Sequence, residues 1–129
     1  SGIAKNVELM GVKILNDQNK GKLSDAIRAY DYLRQACSLG VNLKVINNSW
    51  GDDVPSQSID YAVKELGRLG VVSVFAAGND GKNLDKESDM TIAMRDNPYA
   101  LIVNAMTPDG TMASFSNYSA VYTDVAVSS

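Results

Sequence analysis

Short apolar runs separated by polar segments recur along the chain and set its predicted secondary structure. Five runs have the length of strands and are too short for amphipathic helices. They cover residues 8–15, 43–48, 71–77, 100–106 and 121–127. The run over 71–77, VVSVFAA, is apolar throughout, which is typical of a strand covered on both faces.

Two intervening segments carry apolar residues at helical spacing. The first is predicted to begin at an N-cap on Ser24 and to end near Gly40, where a C-terminal cap needs positive φ. The second starts near Pro55 and Ser56, because proline is favoured in a first turn, and ends at Gly70. The order β-α-β-α-β predicts an α/β fold with parallel strands, right-handed crossovers and helices covering the sheet.

The remaining segments predict loops within one domain of 129 residues. Residues 80–98 are polar and show no strong periodic pattern, so we expect a long surface loop there. Residues 107–118 predict a hairpin, because Pro108-Asp109-Gly110 supplies turn chemistry.

Polar segments follow three of the predicted strands. Ligands of parallel sheets gather at the carboxyl ends of the strands. Those ends read NDQNKGK at 16–22, NSWG at 48–51 and AGND at 77–80. We therefore expect the functional site at these three loops, although the fold alone does not say what binds there.

Charge and composition narrow the function classes. The chain carries 12 basic and 15 acidic residues, a net charge of −3, which argues against a sequence-independent nucleic-acid binder. No apolar run reaches the roughly 18 residues that cross a bilayer, and no signal-peptide pattern opens the chain. The single cysteine, Cys37, excludes an internal disulfide and is interpreted as a small core residue. Because histidine is absent, neither a Ser-His-Asp triad nor a histidine-rich zinc site can be completed within the chain.

Glycine-bearing turns and carboxylates give weak evidence for a ligand. Neither fingerprint of a phosphate-binding loop occurs. We interpret Asp52, Asp53, Asp80 and Asp89 as turn residues, because nothing gives them the spacing of a calcium loop or a glycosidase pair. The segment NNSWG at 47–51 has two interpretations that composition leaves open: an exit loop with tryptophan packed over the core, or an edge that pairs with a peptide.

Four blocks of sequence resemble consecutive blocks of the subtilisin-like serine proteases (subtilases, peptidase family S8). They read GIAKNVELMGVKILND, LKVINNSWG, GVVSVFAAGNDG and PYALIVNAMTPDGTMASFSNYS. The blocks follow the family's order and spacing and together span nearly all of the chain. The resemblance implies a truncated subtilisin-like fold of three layers, with helices flanking a mainly parallel sheet, and one partial catalytic domain over 1–129.

The resemblance also assigns site residues. Asn79, an ordinary turn residue by composition, matches the oxyanion-hole Asn at the end of the strand A-A-G-N. Its amide would donate to the oxyanion that develops on the substrate. The matching substrate-binding positions are Asn19, Lys20 and Gly21 on one edge, Ser49, Trp50 and Gly51 on the opposing strand, and Ala76, Ala77 and Gly78 on a wall of the specificity pocket.

Departures from the family limit what this chain is expected to do alone. The family's triad follows the order Asp, His, Ser, and all three blocks are missing; Ser49, Ser114 and Ser116 match other positions. Residues 82–97 match poorly, so the pocket floor is unassigned. The chain thus resembles the central segment of a serine endopeptidase and is expected to be inactive alone. The alternatives are a non-catalytic subtilase-like module that binds peptides or partners, and an unrelated small α/β ligand-binding domain.

Expected partners follow from the same resemblance. They are a peptide or protein substrate and the rest of the protease domain, in a secreted or cell-envelope bacterial protein. No nucleic acid, membrane segment, metal or cofactor is expected for this chain; a calcium site would belong to the full-length parent. The exposed edges of a truncated sheet also predict self-association.

Overall fold

The computed structural model describes residues 4–51, 56–85 and 96–128. In these ranges the chain forms α1 Leu23–Ser38, β1 Val45–Asn48, α2 Gln57–Arg68, β2 Val72–Ala76, β3 Ala100–Met106 and β4 Val125–Ser128. The runs predicted over 43–48, 71–77 and 100–106 are therefore strands, with bounds that agree to within two residues. Neither helix is long and apolar enough to span a membrane.

The four strands form one parallel sheet in the order β1-β2-β3-β4. Val45 pairs with Val72, and Val74 pairs with Leu101. Because the strands share one direction, their carboxyl ends lie at one edge of the sheet. The predicted α/β class, a parallel sheet with flanking helices, is confirmed.

The helix starts follow local capping chemistry. The prediction that Ser24 caps α1 is wrong: the N-cap is Lys22, two residues earlier, and the helix begins at Leu23. The Lys22 backbone N–H donates to Asp25 Oδ2 at 3.4 Å, so a carboxylate in the first turn of the helix satisfies the N–H of the N-cap residue. In α2 the predicted start holds, because Ser56 Oγ accepts a hydrogen bond from the Ile59 N–H at 3.3 Å.

Both helices cover the same face of the sheet. That face carries the buried side chains of Ser73, Phe75 and Ile102. The buried helix residues packed against it are Ala26, Tyr30, Leu33, Ile59, Val63 and Leu66. The Tyr30 hydroxyl donates to Ser73 Oγ at 3.2 Å, which ties α1 to the second strand. Burial raises the pKa of Tyr30 above its ordinary value of 10.0.

The opposite face of the sheet is apolar and exposed. The register places Val45, Val72, Leu101, Val125 and Val127 on it, each 36–55% exposed. We call these five residues the open face. Neither described helix covers it, so the described residues supply the sheet and one of the two helical layers expected of the fold.

The predicted strand over 8–15 is not a strand in the structure. A strand needs a neighbouring strand to complete its backbone hydrogen bonds, and within the described residues no segment pairs with this one. Val12 and Ile14 instead pack against the core as partly buried side chains. The apolar pattern therefore correctly indicated that this segment contacts the core. The segment is not a strand, because within the described residues it has no hydrogen-bond ladder to a neighbouring strand.

The end of the chain also differs in detail. The last strand begins at Val125 rather than at residue 121, because residues 121 and 122 form a bend, where Ser119 Oγ accepts from the Tyr122 N–H at 2.6 Å. The predicted hairpin is a tight turn: the Thr107 N–H donates to the Thr111 carbonyl at 2.8 Å. A single antiparallel bridge, between Met106 and Met112, closes it.

We predict that Tyr30→Phe lowers the free energy of unfolding by about 1 kcal/mol, because the hydrogen bond to Ser73 is lost. The raised pKa of Tyr30 means that the unfolded chain releases this proton at lower pH than the folded chain. The free energy of unfolding of the wild-type chain should therefore fall as the pH rises above the ordinary tyrosine pKa of 10.0. Tyr30→Phe should reduce this alkaline fall, as measured by urea unfolding at several pH values.

The matched control is Tyr32→Phe, which alters an exposed side chain of the same helix. It should leave both the stability at neutral pH and the alkaline fall unchanged. Equal alkaline slopes in Tyr30→Phe and Tyr32→Phe would contradict the assignment to Tyr30.

Candidate functional site

The ends of β1 and β2 lie side by side at the carboxyl edge of the sheet. Asn48, the last residue of β1, pairs with Phe75 of β2. Ser49–Gly51 therefore leaves the sheet at the same edge as Ala76–Asn79. The structure brings together two of the three predicted substrate-binding segments and the predicted oxyanion donor.

Trp50 is fixed against the end of the core. Its Nε1–H donates to Asn48 Oδ1 at 3.1 Å, and its ring meets Phe75 edge-on with 6.3 Å between ring centroids. Asn47 Nδ2 donates to Ser49 Oγ at 2.9 Å, which holds the turn that follows β1. The exit loop with a tryptophan packed over the core is confirmed, and pairing with a peptide stays a prediction.

The loop after β2 is joined to a segment far along the chain. The Gly81 N–H donates to the Phe115 carbonyl at 2.9 Å, and the Tyr118 N–H donates to the Lys82 carbonyl at 2.9 Å. These bonds set the course of the backbone immediately after Asn79.

Gly78 occupies a position that excludes other residues. Its φ of +103° lies in the left-handed half of conformational space, where a side chain is strained. A Cβ at this position would lie 2.4 Å from Asn117 Nδ2. The Gly78 carbonyl also accepts from the Asn117 N–H at 2.9 Å. Glycine is thus required by backbone geometry, in addition to any role as a low pocket wall.

Asn79 presents its side chain to solvent at the end of this strand. Within the described residues its amide forms no hydrogen bond, so its two N–H donors have no partner there. The carbonyl of Gly78 before it and the N–H of Asp80 after it are both bonded to Asn117. The geometry therefore fixes the backbone around Asn79 and leaves its amide unengaged.

The loop that carries Asn19, Lys20 and Gly21 is held by its own contacts. Asn16 Oδ1 accepts from the Lys20 N–H at 2.9 Å, and Asn19 takes a φ of +57°. A Cβ on Gly21 would lie 2.5 Å from the Ile14 carbonyl oxygen, so the two arms of the loop approach closely. No hydrogen bond of the described part joins this loop to the other two segments, and its place in one shared site stays a prediction.

Three buried polar residues, Ser116, Asn117 and Asn104, have structural roles that the sequence did not predict. Ser116 Oγ accepts from the Ala105 N–H at 3.0 Å and donates to the Asn117 carbonyl at 2.9 Å, so Ser116 is structural. Asn117 and Asn104 are 6% and 4% exposed, and Asn104 Oδ1 has no partner among the described residues. The signal for Asn104 was a single polar residue in the apolar stretch ALIVNAM, whereas Ser116 and Asn117 lie in the mixed stretch SFSNY, which gave no such signal.

Acidic residues do not form a site in the described ranges. No group of three or more histidine, cysteine, aspartate or glutamate side chains there could hold a metal ion. Asp109 serves the turn after β3: hydrogen bonds from Thr107 and Thr111 lower its pKa to about 2. Three of the predicted turn residues, Asp52, Asp53 and Asp89, lie outside the described residues.

Comparison with known proteins decides the family. The family model described as Subtilase family, Peptidase_S8, matches residues 1–128. This chain belongs to the subtilase family. The resemblance stated from four sequence blocks is confirmed, and the alternative of an unrelated α/β domain is removed.

Individual subtilases align over most of this chain but over a small part of their own length. The subtilase chain is 34% identical over 128 residues to Proteinase R of Parengyodontium album, covering 93% of this chain and 30% of that protein. It is 35% identical over 117 residues to the Extracellular serine proteinase of Thermus sp. (strain Rt41A), covering 91% and 26%. The crystal structure of a cold adapted subtilisin-like serine proteinase superposes with a TM-score of 0.78 at 28% identity, covering 98% of this chain and 43% of that one.

We predict that Gly78→Ala destabilises this subtilase chain far more than Gly70→Ala does. Both glycines have positive φ, +103° and +86°, which costs an alanine about 1–2 kcal/mol. A Cβ at Gly70 meets nothing within 4 Å, whereas at Gly78 it meets Asn117 Nδ2. The overlap should add about 1–3 kcal/mol in urea unfolding. Equal losses in the two variants would contradict the close packing of Asn117 on Gly78.

Proposed function

We propose that this chain is the central segment of a subtilisin-like serine endopeptidase and that the carboxyl edge of its sheet binds the scissile peptide. The main support is that Asn79 is exposed and that its amide forms no hydrogen bond within the described residues. Asn79 follows β2 at the edge where Ser49–Gly51 leaves β1. The names of the relatives support it. Because the chain spans 26–30% of those two relatives, the activity of the whole protein is part of the proposal.

Asn79 acts as the oxyanion donor in this proposal. When a nucleophile attacks the peptide carbonyl, the oxygen gains negative charge as the carbon becomes tetrahedral. The Asn79 N–H₂ donates to that oxygen and stabilises the transition state. An amide is uncharged, so it adds little attraction for the substrate before reaction and its contribution falls mainly on turnover.

Three backbone segments bind the substrate in this proposal. Ser49–Gly51 pairs with the peptide as an added strand. Asn19–Gly21 takes the opposing edge, so the peptide lies between them as a middle strand. Ala76–Gly78 forms a wall of the specificity pocket, where small side chains leave room for the incoming residue. The fixed Trp50 ring supports this arrangement by holding the first segment against the core.

The nucleophile and its base come from other segments of the parent protein. Without a histidine, the chain cannot supply the imidazole that accepts the nucleophile's proton in a Ser-His-Asp triad. The His of the triad therefore lies outside these 129 residues. The triad Asp and Ser are assigned outside them too, because the family blocks that carry them are missing here, and this chain alone is inactive. This chain stabilises the oxyanion and positions the substrate, while the triad residues of the parent protein start the reaction.

The proposal extends to location and cofactor. One relative is named an extracellular proteinase and another, from Metarhizium anisopliae, a cuticle-degrading protease, which supports a secreted parent. Fungal and bacterial proteins both match, so a bacterial source stays a prediction. A calcium site, if the parent has one, is assigned to the parent and not to this chain.

We predict that Asn79→Ala in the full-length protein lowers kcat by about 10²–10³-fold with little change in KM; this range is the one known for loss of the corresponding donor in subtilisin. The reason is that the donor acts on the transition state alone. Peptide-substrate kinetics measure it. The 129-residue chain by itself should neither cleave casein nor react with a fluorophosphonate probe.

Asn83→Ala is the matched control, because Asn83 lies in the same loop and its Oδ1 accepts from the Asp85 N–H at 3.0 Å. It should leave kcat within about twofold of wild type, as expected for an amide that does not face the reacting atoms. An unchanged kcat in Asn79→Ala would sink the oxyanion assignment. A full-length protein that binds peptides but resists the fluorophosphonate would favour the non-catalytic module.

Self-association of the separate chain is a further part of the proposal. The open face exposes Leu101 at its centre, and apolar surfaces of this kind associate in water. We predict an average mass above the 13.8 kDa of a monomer in light scattering, rising with concentration. Leu101→Glu should lower that mass. Leu39→Glu, which alters an exposed leucine just after α1, should not, and a clean monomer at high concentration would contradict the prediction.

A further inference from the structure

The side chain of Asn117 makes three hydrogen bonds to the backbone around Asn79. Its Nδ2 donates to the Ala77 carbonyl at 2.9 Å. Its Oδ1 accepts from the Asp80 N–H at 2.9 Å and from the Lys82 N–H at 3.0 Å. One side-chain amide thus hydrogen-bonds to the backbone on both sides of Asn79.

This arrangement uses nearly the full capacity of an asparagine. The amide oxygen has two lone pairs, and both are occupied, while one of the two N–H donors is used. A serine or an aspartate could not offer a donor and two acceptor sites in the same plane. Asn117 is 6% exposed, and losing its side chain would leave the buried Ala77 carbonyl and the part-buried Asp80 and Lys82 N–H groups without this partner.

The backbone of Asn117 adds a fourth hydrogen bond to this region. The Asn117 N–H donates to the Gly78 carbonyl at 2.9 Å. The Asn117 amide also fills the space that a Cβ on Gly78 would need. The hydrogen bonds that Asn117 makes between Ala77 and Lys82 all fix backbone atoms, and none engages the Asn79 side chain.

We propose that Asn117 is a positioning residue that holds Asn79 in the geometry for oxyanion binding. The inference rests on the proposed function of Asn79. An oxyanion donor is effective only when its position is set before the reaction begins. Asn79 itself lies on a loop, and the structure gives that loop its rigidity through Asn117, which lies 38 residues further along the chain.

The test is a double-mutant cycle in the full-length protein. Asn117→Ala should lower kcat by about 10- to 100-fold with KM nearly unchanged, as expected for a displaced catalytic group. In the Asn79→Ala background the same change should lower kcat by less than about threefold, because residues that act as a unit are not additive. Hydrogen–deuterium exchange should rise at residues 77–82 in Asn117→Ala.

A matched control separates positioning from general stability. Asn97 is also 6% exposed, and its side chain also makes three hydrogen bonds, two to Asp60 and one from the Tyr99 N–H. It lies before β3, at the other end of the sheet. Asn97→Ala should destabilise the protein comparably while leaving kcat and the exchange of residues 77–82 unchanged.

Distinct results would overturn the inference. If Asn117→Ala lowers kcat by the same factor with and without Asn79, or if it raises KM alone, Asn117 does not act through Asn79. If Asn79→Ala leaves kcat unchanged, the proposed function fails and the inference falls with it. Should Asn117→Ala not fold, Asn117→Ser, which keeps a hydroxyl acceptor, takes its place in the same cycle with a smaller loss expected.

Discussion

Parallel pairing of β1, β2 and β3 sets the position of every segment of the proposed site that follows a strand at the end of the sheet. The pairing of Asn48 with Phe75 makes the chain leave β1 and β2 at the same edge. Because these ends coincide, the turn that carries Trp50 and the loop that carries Asn79 lie at the same edge of the sheet. The helices contribute by covering one face, with Tyr30 bonded to Ser73 at the centre of the sheet.

Neutral hydrogen bonds, rather than charges, organise the proposed site. Five ion pairs join neighbours three or four positions apart whose side chains are partly or fully exposed, and such pairs add little stability. Buried amides do the organising instead: Asn48 orients Trp50, and Asn117 binds the loop after β2. Such neutral hydrogen bonds can fix the backbone beside a donor that must respond to a charge present only in the transition state.

The sequence pattern predicted what depends on near neighbours. Continuous apolar runs located β2 and β3, and Ser56 correctly marked the start of α2. Residues 8–15 were wrongly predicted as a strand, because strand formation depends on a partner that apolarity does not reveal. Asn117 escaped notice for a related reason. Its side chain acts on residues 35–40 positions away, and only the folded structure brings those groups together.

The central claim is that Asn79 donates to the oxyanion from a backbone fixed in advance. The most direct measurement is a crystal structure of the full-length protein bound to a peptide boronic acid, whose tetrahedral adduct stands in for the transition state. We predict Asn79 Nδ2 about 2.7–3.1 Å from the oxyanion-mimicking boronate oxygen, with residues 77–82 unmoved from the free protein. An adduct whose oxygen is bound by other groups while Asn79 stays in solvent would contradict it.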